Sequence, residues 1–303
     1  MLSFESIVKN FGGQKCAVND ITLHIPEGII TGVIGASGAG KTTLVKLAAG
    51  LLEPTRGRVR VMGKEPVHNR RAIGSKMGVF MAHVSLLQKD DTVQGNFQSL
   101  RSIYRIPSDQ FHADYNEMSE RLGFDRYQNQ RVSDLSLGER MRAELGAVLI
   151  HRPTLLILDE PVIGLDESAK AIFREIITER NRYGVTVVMT THDMAEVSSL
   201  CERIALISGG KLLYYGNESQ LRRAFMPLDT MTLTISGKLP DLQDLPLKKY
   251  TISNRTLSLS YNTNHVTSAE ILKLILQQTT VSEVKILKPS LTDIITQIQK
   301  EAI

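Results

Sequence analysis

Ile29-Ile30-Thr31-Gly32-Val33-Ile34, then Gly35-Ala36-Ser37-Gly38-Ala39-Gly40-Lys41-Thr42-Thr43, then the apolar run from Leu44 to Leu52, is the stretch whose reading decides the fold. A short apolar strand, a small-residue turn and a helix follow one another, and the turn reads G-x-x-x-x-G-K-[ST] in the context that motif requires. At ordinary residue frequencies its four fixed positions would match by chance roughly 0.01 times in a chain of this length, so the match is not accidental. The glycines let backbone N–H groups curl around phosphate oxygens, and the helix N-terminus adds partial positive charge. Lys41 is placed to reach the β and γ phosphates, and Thr42 offers a hydroxyl to Mg²⁺.

Outward from this loop, a second apolar run, Thr154 to Leu158, ends in Asp159-Glu160. That puts two carboxylates at the carboxyl end of a buried strand, where ligands bind in parallel α/β sheets. Asp159 suits Mg²⁺ and Glu160 suits polarising an attacking water. A third, β-branched run, Val185 to Thr191, delivers His192 to the same edge. Between the two runs, Ser168 to Tyr183 carries Ile172, Phe173, Ile176 and Ile177 at helical spacing, with Gly184 as C-cap. Strand, helix, strand implies a parallel sheet.

Leu135-Ser136-Leu137-Gly138-Glu139 lies between the phosphate loop and the Asp159-Glu160 strand. With it, from about Phe4 to Leu221, the chain resembles the ATP-binding cassette (ABC) transporter ATPases, and 135–139 looks like that family's signature motif. The resemblance implies a P-loop NTPase cassette, with a mostly parallel core sheet and a helical subdomain at about 84–145. Two copies would close head to tail around ATP and Mg²⁺. Gly35 to Thr43 (Ala36, Ser37, Gly38, Ala39, Gly40, Lys41 and Thr42 between them) would bind ATP in one copy. Ser136, Leu137, Gly138 and Glu139 would reach it from the other. It further implies Glu160 as general base, His192 on the γ-phosphate, Thr42 and Asp159 on Mg²⁺, Asp166 communicating across the dimer, and Phe11 stacking on adenine. Two positions depart from the common pattern: Leu137 stands for a glycine and Glu139 for a glutamine. At the coupling loop, His83 stands for another glutamine, and imidazole suits Mg²⁺ less well than an amide oxygen; a hydrogen bond to water and loop coupling is the expected role.

Between His83 and Arg131 the pattern is helical; Phe111, Tyr115, Met118 and Leu122 share one face and read as internal packing. After Met226-Pro227 the pattern changes. Alternation at Met231, Leu233, Ile235, at Leu257, Leu259, Tyr261, and at Val284, Ile286 suggests strands; Thr267 with Glu270, and Ser290, open two helices. Domains at 1–225 and 226–303 are expected, the second a small α+β domain.

With 303 residues, 42% hydrophobic and 22% charged, the chain is neither disordered nor fibrous. No apolar run approaches the ~20 residues of a bilayer span, no signal peptide is expected, and the two cysteines form no paired motif. The net charge of +4 is spread along the chain, so no nucleic-acid partner is expected. The resemblance therefore implies an ATPase subunit of an exporter, peripheral on the cytoplasmic face of the membrane and paired with a separate transmembrane permease. A non-transport ABC ATPase acting on ribosomes or DNA is the alternative. A small-molecule kinase is disfavoured by the signature.

Overall fold

The computed structural model describes residues 1–12, 16–82, 84–243 and 245–301, which divide into two units, Met1–Gly216 and Asn217–Ile303. The elements of the first are β1 (Leu2–Asn10), β2 (Cys16–Ile25), β3 (Ile30–Ile34), α1 (Lys41–Ala48), β4 (Arg56–Val61), α2 (Arg70–Gly74), β5 (Met77–Met81) and α3 (Val93–Tyr104). They continue with α4 (Ser108–Leu122), α5 (Leu137–Leu149), β6 (Leu155–Asp159), α6 (Glu167–Arg182), β7 (Thr186–Thr190), α7 (Met194–Leu200), β8 (Arg203–Ser208) and β9 (Lys211–Gly216).

A six-stranded sheet has the order β5-β6-β7-β3-β8-β9, parallel throughout except for the β8–β9 pair. The runs that read as buried strands are the central ones: Leu155 to Leu158 are fully buried, each worth about 1.5–3 kcal/mol against exposure. The parallel register brings the carboxyl ends of β3, β6 and β7 to one edge, with Asp159 opposite Thr190 and the phosphate loop emerging from Ile34. β1, β2 and β4 form a separate antiparallel sheet that the sequence reading did not anticipate. Register shifts in β1 and the left-handed residues Ser6 (φ 46°) and Asp20 (φ 55°) break the two-residue alternation by which strands are recognised.

Within the segment expected to be helical, α3 and α4 form, while residues 84–92 and 128–131 are turns and extended chain. Phe111, Tyr115, Met118 and Leu122 of α4 are buried and join one core with α3 and α5, where Phe97 lies 5.1 Å edge-on from Tyr115 and 5.1 Å stacked from Phe124. Gly184, at φ 86°, closes α6 with its N–H on the Asn181 carbonyl.

The second unit holds α8 (Glu218–Phe225), β10 (Leu228–Ile235), β11 (Leu247–Ser253), β12 (Thr256–Asn262), α9 (Ser268–Leu276), β13 (Val281–Leu287) and α10 (Leu291–Glu301). Its sheet is antiparallel, in the order β11-β12-β10-β13. The boundary falls after Gly216 rather than after residue 225, because α8 opens on its own Asn217–Gln220 capping box and packs on α10. The expected cap of α9 is present, Thr267 and Glu270 bonding reciprocally; Ser290 and Asp293 do the same at α10. β11 shows no clean alternation in the sequence, because a register shift between Leu247 and Lys249 interrupts it.

Candidate active site

The phosphate loop is built by what its residues lack. Gly40 caps α1 at φ 109°, and a Cβ there would stand 2.4 Å from the Ala17 carbonyl oxygen; at Gly35 it would stand 2.1 Å from that of Ile207. Only glycine permits so close an approach. The side chain of Lys41 crosses the loop, donating to the carbonyls of Gly35 at 2.9 Å and Ala36 at 3.1 Å. Two of the ammonium's three donors are thereby engaged.

Asp159, at the end of β6, is 5% exposed. Its Oδ1 accepts from Thr190 Oγ1 at 2.5 Å and from Thr42 Oγ1 at 3.3 Å. The same Thr190 receives the Glu160 N–H on both Oγ1 and its carbonyl, each at 3.1 Å. Glu160 adopts a left-handed backbone, φ 54°, a strained conformation of the kind that clusters at functional sites. It turns the chain off the strand so that Glu160 Oε2 meets His192 Nδ1 at 2.7 Å. Phe11, Ala17, Gly35, Ser37, Gly38, Gly40, Lys41, Thr42, Thr43, Glu160 and His192 line one cavity of about 620 Å³. Ala36 and Ala39 belong to the loop without lining it, Ala39 being buried. The hydroxyl of Thr42 and the carboxylate of Asp159, both hard oxygen donors on a shared hydrogen bond, fit Mg²⁺, and the glycine cradle beside them fits phosphates.

The signature lies elsewhere. Ser136 caps α5 with a capping box: its Oγ accepts from Glu139 N at 3.3 Å, and Glu139 Oε2 accepts from Ser136 N at 2.9 Å and Oγ at 2.7 Å. These Ser136 hydrogen bonds hold the Glu139 carboxyl below its ordinary range. Leu137, half exposed, packs on Gly164, where a Cβ would come 2.8 Å from its Cδ2. Asp166 caps α6, accepting from Ser168 Oγ at 2.6 Å and Ala169 N at 2.8 Å, and from Arg142 Nη2 at 2.7 Å. The Ser168 and Ala169 hydrogen bonds, with Arg142 adding to them, bring its pKa down to about 2. Ser136, Gly138, Glu139, Arg142 and Asp166 line a second cavity of about 390 Å³, and none of them lines the first. His83 lies outside the described residues.

Sequence reasoning missed Thr190 and Arg142. Thr190 stands one residue inside the strand read as buried, so its signal was a polar residue in an apolar run. Arg142 sits one helical turn beyond Glu139, where i,i+3 spacing returns to the same face.

A family model described as ABC transporter matches residues 18–163. ABC transporter ATP-binding protein NatA of Bacillus subtilis (strain 168) is 34% identical over 200 residues, covering 66% of this chain and 81% of NatA. This chain belongs to the ABC transporter ATPase family. Among its relatives, the methionine import ATP-binding protein MetN of Pasteurella multocida (strain Pm70) is 33% identical over 233 residues, 73% of this chain and 66% of MetN. The Nod factor export ATP-binding protein I of Rhizobium leguminosarum bv. viciae is 30% identical over 220 residues, 73% and 70%. In fold, the chain is similar to an ATP-binding subunit of an ABC transporter at TM-score 0.70 and 21% identity, covering 74% and 92%. It is also similar to a dimeric post-hydrolysis state of the cassette MJ0796 bound to ADP and Pi at TM-score 0.65 and 22% identity, covering 72% and 98%. As a member of this family the chain is an ABC ATPase with a P-loop cassette fold. Among the described residues no helix is long and apolar enough to cross a membrane.

Proposed function

We propose that this ABC ATPase is the energy-supplying subunit of an exporter, in which two cassettes close head to tail around ATP and Mg²⁺ and drive a separate transmembrane permease. The observation that carries the reading is the separation of the two cavities within one chain: the phosphate loop, Glu160 and His192 line one, while Ser136, Gly138 and Glu139 line the other. A second copy is needed to bring a signature to a phosphate loop. The dimeric structure of its fold neighbour supports this arrangement.

In this reading the loop from Gly35 to Thr43 cradles the phosphates, with Lys41 on the β and γ groups and Phe11 against the adenine. Thr42 and Asp159 hold Mg²⁺, which when bound neutralises charge developing on the phosphates. Glu160 takes the proton of the attacking water, and His192, hydrogen-bonded to it, orients the carboxylate and meets the γ-phosphate. The N-terminus of the partner's α5 supplies Ser136 and Gly138 and a helix dipole to the same anion. Asp166, joined to the signature helix through Arg142, links the signature of one copy to the state of the other. His83, which in the resemblance stands for the coupling-loop glutamine, contributes to coupling with the permease. Because that permease lies in the membrane, the cassette works as a peripheral protein on the cytoplasmic face. Export over import is supported by the likeness to the Nod factor export protein, and the identity of the permease tests it against the import role of the methionine relatives.

The test is to pull tagged Glu160→Gln protein from its native membranes in ATP and identify the polytopic protein that accompanies it. Blocked hydrolysis holds the closed dimer, so one permease is expected, absent from a Lys41→Ala control. Ribosomes or DNA-associated proteins in its place would overturn the transporter reading.

A further inference from the structure

The second unit ends its sheet on two strands of different character. Both β11 and β13 are edges, and cross-strand rows run Tyr250, Leu259, Met231, Ile286 and Ile252, Leu257, Leu233, Val284. Residues directly opposite share a face. The inner members of each row are fully buried, whereas the outer members are 40 to 51% exposed on the same face. The nine-residue α9 covers the centre through Ile271 and Ile275 and leaves the flanks bare. An edge strand with free backbone groups and exposed apolar side chains is a template for pairing with another chain.

The charges on the two edges decide which one pairs. β11 carries Lys248 and Lys249 and no acidic residue, the usual way an edge is blunted. β13 carries Glu283 and Lys285 on either side of Val284. Their partners on β10 are Thr234 and Thr232, so both charges lie on the face away from α9. An antiparallel β13–β13 pair with its two-fold axis at Val284 sets Glu283 of each copy opposite Lys285 of the other, and Val284 opposite Val284 on the α9 face. Moving the axis to Glu283 or to Lys285 sets like charges directly opposite, which is unfavourable.

We propose that β13 is a self-pairing edge: two copies of this chain join through it, and their four-stranded sheets become one sheet of eight with both α9 helices on one face. The contact is isologous and closes at two copies, whereas β11 on β13 would be head-to-tail and open-ended. This gives the proposed two-cassette ATPase a second, nucleotide-independent dimer contact. It rests on that reading for its purpose but not for its test.

The test uses the full chain without nucleotide, carrying Val284→Cys under mild oxidation, with the disulfide mapped by mass spectrometry to distinguish it from Cys16 and Cys201. Cross-linking through position 284 is expected to run at least about tenfold faster than in an Ile252→Cys chain, since only β13 is expected to pair. Adding Lys285→Glu sets two like-charge pairs across the axis and should slow it about tenfold. Combining Glu283→Lys with Lys285→Glu restores complementarity and should return the rate to within about threefold of the start. Equal rates at positions 252 and 284, indifference to Lys285→Glu, or no recovery in the double swap would each overturn the proposal. ATP turnover, measured on the same chains, reports on the cassette separately: its absence from the unmodified chain would break the ATPase reading and leave the cross-linking result standing.

Discussion

The phosphate-loop cavity and the signature cavity are built by opposite means. The larger one takes its shape from backbone: glycines too crowded for a Cβ, and carboxylates set at strand ends by a parallel register. The smaller one takes its shape from side chains that cap helices, Ser136 on α5 and Asp166 on α6, tied together by Arg142. One cavity thus carries the glycine cradle with Glu160 and His192; the other carries the N-terminus of α5 with Ser136 and Gly138 and none of the phosphate-loop residues. That asymmetry is what two half-sites should look like, and it can be attacked from both sides.

The largest effect is expected at the base. Glu160→Gln should lower phosphate release about 10²-fold or more while ATP affinity, read by equilibrium binding, changes little; equal loss of both would make Glu160 a binding residue. Next comes complementation. Lys41→Ala and Ser136→Ala chains should each be nearly inactive as homodimers. Mixed, they should recover up to about a quarter of normal turnover, since random pairing makes half the dimers mixed and each mixed dimer has one intact composite site. No recovery on mixing would place signature and phosphate loop in one chain's site.

The smallest effect concerns the segment that joins the cavities. α5 opens at the signature and β6 closes at Asp159, and His151 stands between them, stacked on Tyr104 at 3.9 Å with Nε2 3.2 Å from the Met77 carbonyl. Burial pushes its pKa down to about 4, and its Nδ1 is buried with no hydrogen-bond partner among the described residues. Between pH 6.5 and 4 the unfolded chain therefore binds a proton that the native state refuses, so stability present at pH 7 is lost as pH falls through that window. The loss is at most about 3 kcal/mol. Urea unfolding at pH 7 and pH 4.5 should show it, and His151→Phe, which keeps the stack, should flatten it; an unchanged slope in that variant would assign the acid sensitivity to other groups.

The parts of this site that could be read directly were those in which chemistry demands consecutive residues. A phosphate cradle needs its glycines and lysine within one turn, and a strand-end carboxylate pair needs an apolar run just before it; both stand in order at 35–43 and 154–160. Thr190 and Arg142 could not be read that way, because each matters only through a partner that the chain brings near it from 31 and 24 positions away. The β1–β2–β4 sheet and β11 were hidden by bulges, which shift the two-residue period without removing the strand.

Sequence alone determined the cassette's class and the order of its motifs, and singled out the groups proposed to bind and cleave ATP, because local spacing sets which backbone donors and side chains can converge on one ligand. Tertiary structure decided that these groups fall into two cavities, that the second unit begins at Asn217, and that β13 is an edge. Each of those depends on which distant segments pair, and pairing is settled by burial and register across the whole fold.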